Sequence, residues 1–582
     1  MNRVHSSVLL SLALAAFGAH ANGPESLATA DPHAEPRASA TFDAHPPSTH
    51  ALSDQAIDDA LDELDLLDPA LDSDSVLDLL ADLLPGANTA APSKGGPAAV
   101  GYVAHRKWGG VDGYGPDQFS GNSNGISRGR AAARLENGDV VVVGDIQGGG
   151  VSTARNLGIV KYNSRGQRVA WSNVPSQFSL FNNQYIRFPN TDPWGATRTV
   201  VAVHDVHVRG DDIYVLMTFS ESGLRRPGIT RWGSDGSSRG WWFAAPDSGA
   251  VRDAVAMDIL GSHMIVLGRR SLDIEDADGG FWTARATING DGGLSFGAIT
   301  TIRSGVRMIP ADIAFARSSL FVPVATPAYY VVDTVRSATT GSTATWPCIH
   351  RVTSDNVLDG GFGTGGFRCN PFNAPGASDL RDWAVAVHTR TETLFNAGNP
   401  ITREVLFMST VYDKNPADGI GLVKLVSGAP DTAFGGSEGQ REYGGCNGTT
   451  GAGCSSVPII NDTAHVPLRG ALFADGNGVH VAGRTFRQAI IVGNPPIRRP
   501  IFMHVNPGNG NLTSLQSFAS TYPNSRFAAL VPGKSSAGMR EFTVAGYAHH
   551  EDTTAVDDGP TRFLTAHLVR DSDLIFYDGL QP

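Results

Sequence analysis

From about residue 126 onward, apolar residues come in short runs between polar, glycine-bearing turns, and helical periodicity is absent. AAARLENGDVVVVGD (131–145) reads as a strand, a turn at Asn137-Gly138 and a second strand. Comparable pairs follow at VHVRGDDIYVLMTF, AMDILGSHMIVLG, FARSSLFVPVA, ALFADGNGVHVAG and LVPGKSSAGMREFTVAG, and AVAVHTRTE joins REVLFMST by a longer connection, giving seven pairs. A third run follows each pair, as in GIVKYNSRG, GITRWGSDG, CIHRVTSDN and GLVKLVSGA. A glycine- or asparagine-rich turn and a weaker fourth run come next, as in GWWFAAP and DLIFYDG. One four-stranded sheet with two apolar faces cannot bury both, so seven such units must stack around an axis. The pattern therefore predicts an all-β chain, a seven-bladed β-propeller of four-stranded antiparallel blades.

Two stretches repeat almost literally: LDGGFGTGGF (358–367) and PDTAFGGSEG (430–439). Both read as the turn after a third strand, with glycines permitting the reversal. With ARLENGDVVVVGD and GLVKLVSGAPDTAFGG, these residues resemble the delta-60 repeats of bacterial exported proteins over about residues 126–580. The turn is absent from blades two, six and seven. The resemblance implies a propeller-like repeat fold and no settled activity.

The first residues have an Arg3 n-region, an apolar run Val8–Phe17 and Ala19-His20-Ala21, so residues 1–21 read as a signal peptide cleaved after Ala21. Residues 22–99 are an acidic extension and linker. Between 22 and 85 fifteen acidic side chains face Arg37 alone, so the net charge of −12 resides there and the remainder is near balance. Leu52, Ile57, Leu61 and Leu64 trace a helical stripe that Pro69 interrupts and Val76, Leu77, Leu80 and Leu84 resume. Residues 100–582 are assigned to the propeller, with DLIFYD as the fourth strand of blade seven and 101–110 as a possible strand at the seam. No bulk basic surface invites nucleic acid, and no segment is long and apolar enough to span a membrane. An exported monomer, periplasmic or secreted, is expected.

In an oxidising compartment Cys348, Cys369, Cys446 and Cys454 read as two local disulfides, Cys348–Cys369 and Cys446–Cys454, although four cysteines allow three connectivities. A zinc site is the competing reading, without CxxC spacing to support it.

Aligning the third strands brings Lys161, Arg231, Arg285, His350, Lys424, His504 and His567 to one position. A half-buried base there pairs readily with a neighbouring strand, so a tether between blades is the favoured role. Aligning the first strands brings together Arg130, Asp205, Asp253, Asp312, Asp382, Arg469 and Arg526. Inner strands line a propeller's channel, so this set predicts a mouth with an acidic arc facing a basic one, suited to a glycan or a peptide end. Acid-rich loops at 273–280, 412–419 and 549–559 raise Ca²⁺ as a cofactor, with Asp273, Asp276 and Asp278 as candidate ligands, although the calcium-loop pattern is incomplete. Trp194, Trp232, Trp241 and Trp242 suit either sugar stacking or the core, and the core is favoured.

There is no H-E-x-x-H helix and no C-x-x-C-H haem motif. The expectation is a binding or scaffold module for a protein, glycan or surface partner. The alternative is a propeller enzyme, a hydrolase, lyase or quinone-dependent dehydrogenase, working at the channel mouth.

Overall fold

The chain divides into Met1–Pro97 and Ala98–Pro582. The computed structural model describes residues 102–104, 114–117 and most of 126–570, leaving out chiefly 148–154, 188–197, 245–252, 318–325, 373–380, 413–418, 444–470, 488–496, 518–524, 534–540 and 550–560. The described residues form seven small antiparallel sheets arranged in a ring, a seven-bladed β-propeller.

Blades 2 to 6 run outward in chain order. Blade 2 consists of Arg198–Arg209, Asp212–Glu221, Leu224–Gly233 and Ser238–Phe243. Blades 3 to 6 repeat this order from inner strands Asp253–Leu260, Met308–Phe315, Asp382–Asn396 and Ala471–Ala474. Blade 1 starts at Ile126–Arg134 and blade 7 at Ser525–Pro532.

The core lies between blades. Seven hydrophobic clusters occupy the seven interfaces, including the one joining the last blade to the first. Strand alternation explains why second strands are continuously apolar, since both faces are covered. In VVVV, Val141 and Val143 pack toward blade 2 while Val140 and Val142 pack toward blade 7. Tyr214 and Leu216 likewise face blade 3, and Val215 and Met217 face blade 1. Every second strand therefore contributes to two cores.

Ring closure comes from the N-terminal side. Tyr102–Ala104 pairs antiparallel with Leu568–Arg570, and Tyr114–Asp117 pairs with Phe563–Ala566 along the same edge. The outer strand of blade 7 is thus supplied by residues that precede blade 1, as two short pieces. The seam strand expected within 101–110 is present as Tyr102–Ala104, while DLIFYD, expected as the fourth strand of blade 7, lies outside the described residues.

The two repeated turns have one construction. Asp359 N donates to Arg351 O at 2.9 Å, and Asp431 N donates to Lys424 O at 3.0 Å. Each aspartate then accepts the amide two residues on, Gly361 at 3.0 Å and Ala433 at 3.1 Å. Phe362 and Phe434 drop into the core, edge-on to Tyr330 and Phe407. At Gly363 a Cβ would strike the Phe367 carbonyl, and its φ of 57° is left-handed, so glycine is required there.

Candidate functional site in the central channel

Six inner strands carry a β-bulge that leaves one residue out of the pairing: Arg130, His204, Val255, Ala311, Val385 and Ala528. In three blades the residue before the bulge donates to a second-strand side chain of the preceding blade. Val203 N reaches Asp145 Oδ1 at 2.7 Å, Ala254 N reaches Thr218 Oγ1 at 3.1 Å, and Ala384 N reaches Thr334 Oγ1 at 3.0 Å. These bulges are therefore equivalent landmarks, and they separate the residues that sequence alignment placed together. Asp205 and Asp312 immediately follow a bulge, Arg130 occupies one, and Asp253, Asp382 and Arg526 precede one. Strand side chains alternate, so a shift in register redirects each group.

A cavity of about 430 Å³ opens along the axis, with walls from all seven inner strands. Of the seven aligned positions, Arg130, Asp205 and Asp312 line it. Asp253 is fully buried and accepts Arg269 Nη2 and, from blade 2, Arg225 Nη2, at 2.8 and 2.9 Å. Asp382 is also fully buried and accepts the Phe372 amide at 2.8 Å. Arg526 stacks on the Tyr547 ring with its Cζ 4.2 Å from the centroid. Arg469 lies outside the described residues.

Of the expected acidic arc, Asp205 and Asp312 line the cavity and Asp253 and Asp382 do not, while Asp258 of blade 3 joins the two that do. What faces these three is mostly apolar: Val385–Val387, Ala471, Leu472 and Ala528–Val531, with Arg130 and Arg134 entering from blade 1. His207, Asp258, Arg317 and His388 were missed because alignment stopped at the first charge of each strand. The signal was available in HDVHV and AMDIL, where a further charged or imidazole group follows at alternating positions.

Each channel carboxylate spans two blades. Asp205 accepts Val206 N at 2.8 Å and Met257 N of blade 3 at 3.0 Å. Asp258 accepts Ile259 N at 2.8 Å and Phe315 N of blade 4 at 2.7 Å. Asp312 accepts Ile313 N at 2.9 Å and Val387 N of blade 5 at 2.8 Å.

The electrostatics follow from confinement. Burial pushes the Asp312 carboxyl up to about 7; repulsion from Asp205 and Asp258 adds to this, and its backbone donors oppose it. Burial works against a charge on His207, but Asp205, with Asp258 and Asp312 behind it, holds the imidazolium up to about 9. Burial, with Arg317 and Arg390 nearby, holds His388 down to about 3, so that ring is neutral.

The third-strand bases follow a different rule. Lys161 Nζ donates to Ser234 O of blade 2 at 2.8 Å, and Arg231 donates to Asp291 O of blade 3. Arg285 Nη2 donates to Thr353 O of blade 4 at 3.0 Å, and Lys424 Nζ to Pro507 O of blade 6 at 2.7 Å. All four acceptors lie in the turn after the third strand of the following blade. The histidines behave otherwise: His350 Nε2 is 2.6 Å from Asp333 Oδ2, His567 Nε2 is 3.1 Å from Glu541 Oε2, and His504 stacks on His480.

Cys348 and Cys369 form a disulfide between paired positions of adjacent strands in blade 4. Cys446 and Cys454 lie outside the described residues. In the blade 3 loop, Asp273 accepts Glu275 N and Asp276 accepts Asp278 N, each at 2.9 Å, as in self-capped turns. Loop residues 413–418 and 550–559 and Trp194 are outside the described set, within which no group of three or more His, Cys, Asp or Glu is gathered around a metal position. Trp232 is fully buried, Trp242 stacks on Phe296 of blade 3 at 3.6 Å, and Trp241 is 48% exposed. Among the described residues no helix is long and apolar enough to cross a membrane.

No protein-family model and no curated protein matches the chain. Among solved structures it is similar to a subtype N10 neuraminidase-like protein of A/little yellow-shouldered bat/Guatemala/060/2010, at TM-score 0.30 and 9% identity over 61% of this chain and 89% of that one. It is also similar to the GH32 β-fructofuranosidase BmSUC1 of Bombyx mori, at TM-score 0.28 and 8% identity over 80% and 94%. A GH43 endo-arabinanase from Bacillus licheniformis aligns at TM-score 0.25 and 14% identity over 51% and 92%. Similarity at this level carries no argument about activity.

Proposed function

We propose that the chain is an exported binding module of the delta-60-like kind, with its recognition site in the central channel. The observation that carries this reading is the cavity itself, about 430 Å³, on which all seven inner strands converge, with charged and imidazole groups of blades 1 to 5 opposite apolar residues of blades 5 to 7. Export is supported by the leader-like residues 1–21 and by the Cys348–Cys369 disulfide, which suits an oxidising compartment. Binding is favoured over catalysis because Asp205, Asp258 and Asp312 each spend both oxygens on backbone amides that hold blades together. The test is thermal unfolding of the mature protein against oligosaccharides, peptides, Ca²⁺ with chelator controls, and quinone cofactors. A ligand of the folded state raises Tm, and Leu472→Arg in the channel wall removes the rise. A panel whose only hits ignore Leu472→Arg overturns the channel as the recognition site.

One observation favours a hydrolase as the second reading. Asp312 keeps its proton up to about 7, as a general acid must, and shares the cavity with two further carboxylates. Turnover of chromogenic glycosides or esters that Asp312→Asn abolishes establishes that reading instead.

A further inference from the structure

The three channel acids differ in their counter-charges. Asp205 Oδ2 has His207 Nε2 at 3.7 Å, and Asp258 Oδ1 has Arg317 Nη2 at 4.0 Å. Asp312 has no ion-pair partner among the described residues, and its oxygens accept backbone amides of Ile313 and Val387. Opposite it the channel is lined by blades 6 and 7, where Leu472 and Leu530 are half-buried. A lone carboxylate thus shares the channel with two half-buried leucines that a short hydrocarbon chain can touch.

We infer that the channel takes one alkylammonium group, a primary amine on an apolar chain, with the ammonium against Asp312 and the chain along blades 5 to 7. This rests on the channel being the recognition site. A charge-assisted hydrogen bond to Asp312 supplies the countercharge it lacks, and methylenes laid on the wall leave water. The neighbouring groups permit this. Asp205 and Asp258 add attraction, partly offset by His207 and Arg317, and His388 on blade 5 is neutral. Arg130 is turned to Asp145, its Nε 2.7 Å from Oδ2, and Arg134 donates to the carbonyls of Pro532 and Gly138 at 2.9 Å. The ammonium competes with the proton of Asp312, so affinity falls about tenfold between about pH 8.5 and about pH 6.

The test is calorimetric titration of the mature chain with hexylamine and with a lysine-tipped peptide, which distinguish a free amine from a side chain. Hexan-1-ol is the uncharged control. Hexylamine is expected to bind, more tightly at the higher pH, and the alcohol not to bind. Asp312→Asn is expected to weaken the amine at least tenfold and flatten its pH profile, and Asp312→Glu to restore both. If Asp312→Asn fails to fold, the wild-type pH profile and the alcohol control decide. Equal behaviour of amine and alcohol, or a flat wild-type profile, overturns the proposal. If hexylamine fails while another ligand binds and is lost in Leu472→Arg, the amine inference falls and the channel reading stands.

Discussion

Asp312 Oδ2 accepts the Val387 amide across the boundary between blades 4 and 5 at 2.8 Å, while its Oδ1 accepts the adjacent Ile313 amide at 2.9 Å. One side chain therefore fixes two inner strands and faces the channel. Asp205 and Asp258 do the same at the two preceding boundaries, so scaffold and candidate site share their atoms.

The channel makes stability depend on pH. The folded pKa of His207, about 9, exceeds its ordinary value of 6.5, so its contribution is complete below pH 6.5 and lost as pH rises through 9. Asp312 acts in the same sense. Its pKa is raised from 3.8 to about 7, so the folded state is favoured by the proton and loses that advantage between these values. His388 opposes it below neutrality, since a ring held neutral down to about 3 contributes above pH 6.5 and loses this as pH falls. Denaturant titrations are expected to show stability falling from pH 6.5 to 9, by on the order of 2 kcal/mol once water in the channel is allowed for. His207→Gln should flatten that limb.

Arg285 tests the third-strand tether. It donates to Asn356 Oδ1 at 2.6 Å, Pro327 O at 2.9 Å and Thr353 O at 3.0 Å, all in blade 4. Arg285→Ala is expected to cost about 2–3 kcal/mol in urea unfolding, since hydrogen bonds from a charged donor are lost and buried acceptors stranded. Arg239→Ala, which removes more exposed ion pairs to Asp211 and Asp212, should cost under about 1 kcal/mol. Equal effects would remove the tether.

The disulfide closes a sequence separation of 21 residues around the LDGGFGTGG turn. Replacing both Cys348 and Cys369 by serine is expected to lower stability by about 3 kcal/mol. Mild reductant should reproduce the shift in the wild type and leave the double variant unchanged.

The seam gives the largest expected effect. A chain beginning after residue 117 lacks both strands on the edge of Thr561–Arg570. Limited proteolysis should then cut within blade 7 first, and Tm should fall markedly. A protected blade 7 would show that the edge is covered by something else.

Much of the fold is legible in the sequence because propeller strands announce themselves locally. VVVV between Gly138 and Gly144 needs apolar cover on both faces, and only stacked blades supply it. The repeated Asp-Phe-Gly turn fixes the phase of blades 4 and 5. The site is less legible because it depends on register. The position of the bulge in an inner strand, invisible in composition, separates Asp312, which lines the channel, from Asp253, which is buried against Arg225 and Arg269. At the seam, the strand expected within 101–110 is there as Tyr102–Ala104, whereas the second piece, Tyr114–Asp117, was hidden because its pairing with residues 563–566 leaves no local trace.

Pairing of Tyr102 with Arg570 also orders events in time. The ribosome makes the latch strand first and its partner last, so the ring stays open through the synthesis of every blade. A chain crossing a membrane as it emerges meets the same delay. Until the final strand arrives, Phe563 is missing from the cluster that joins blade 7 to blade 1, and a chain truncated before Thr561 leaves that cluster incomplete and the latch strand without a partner.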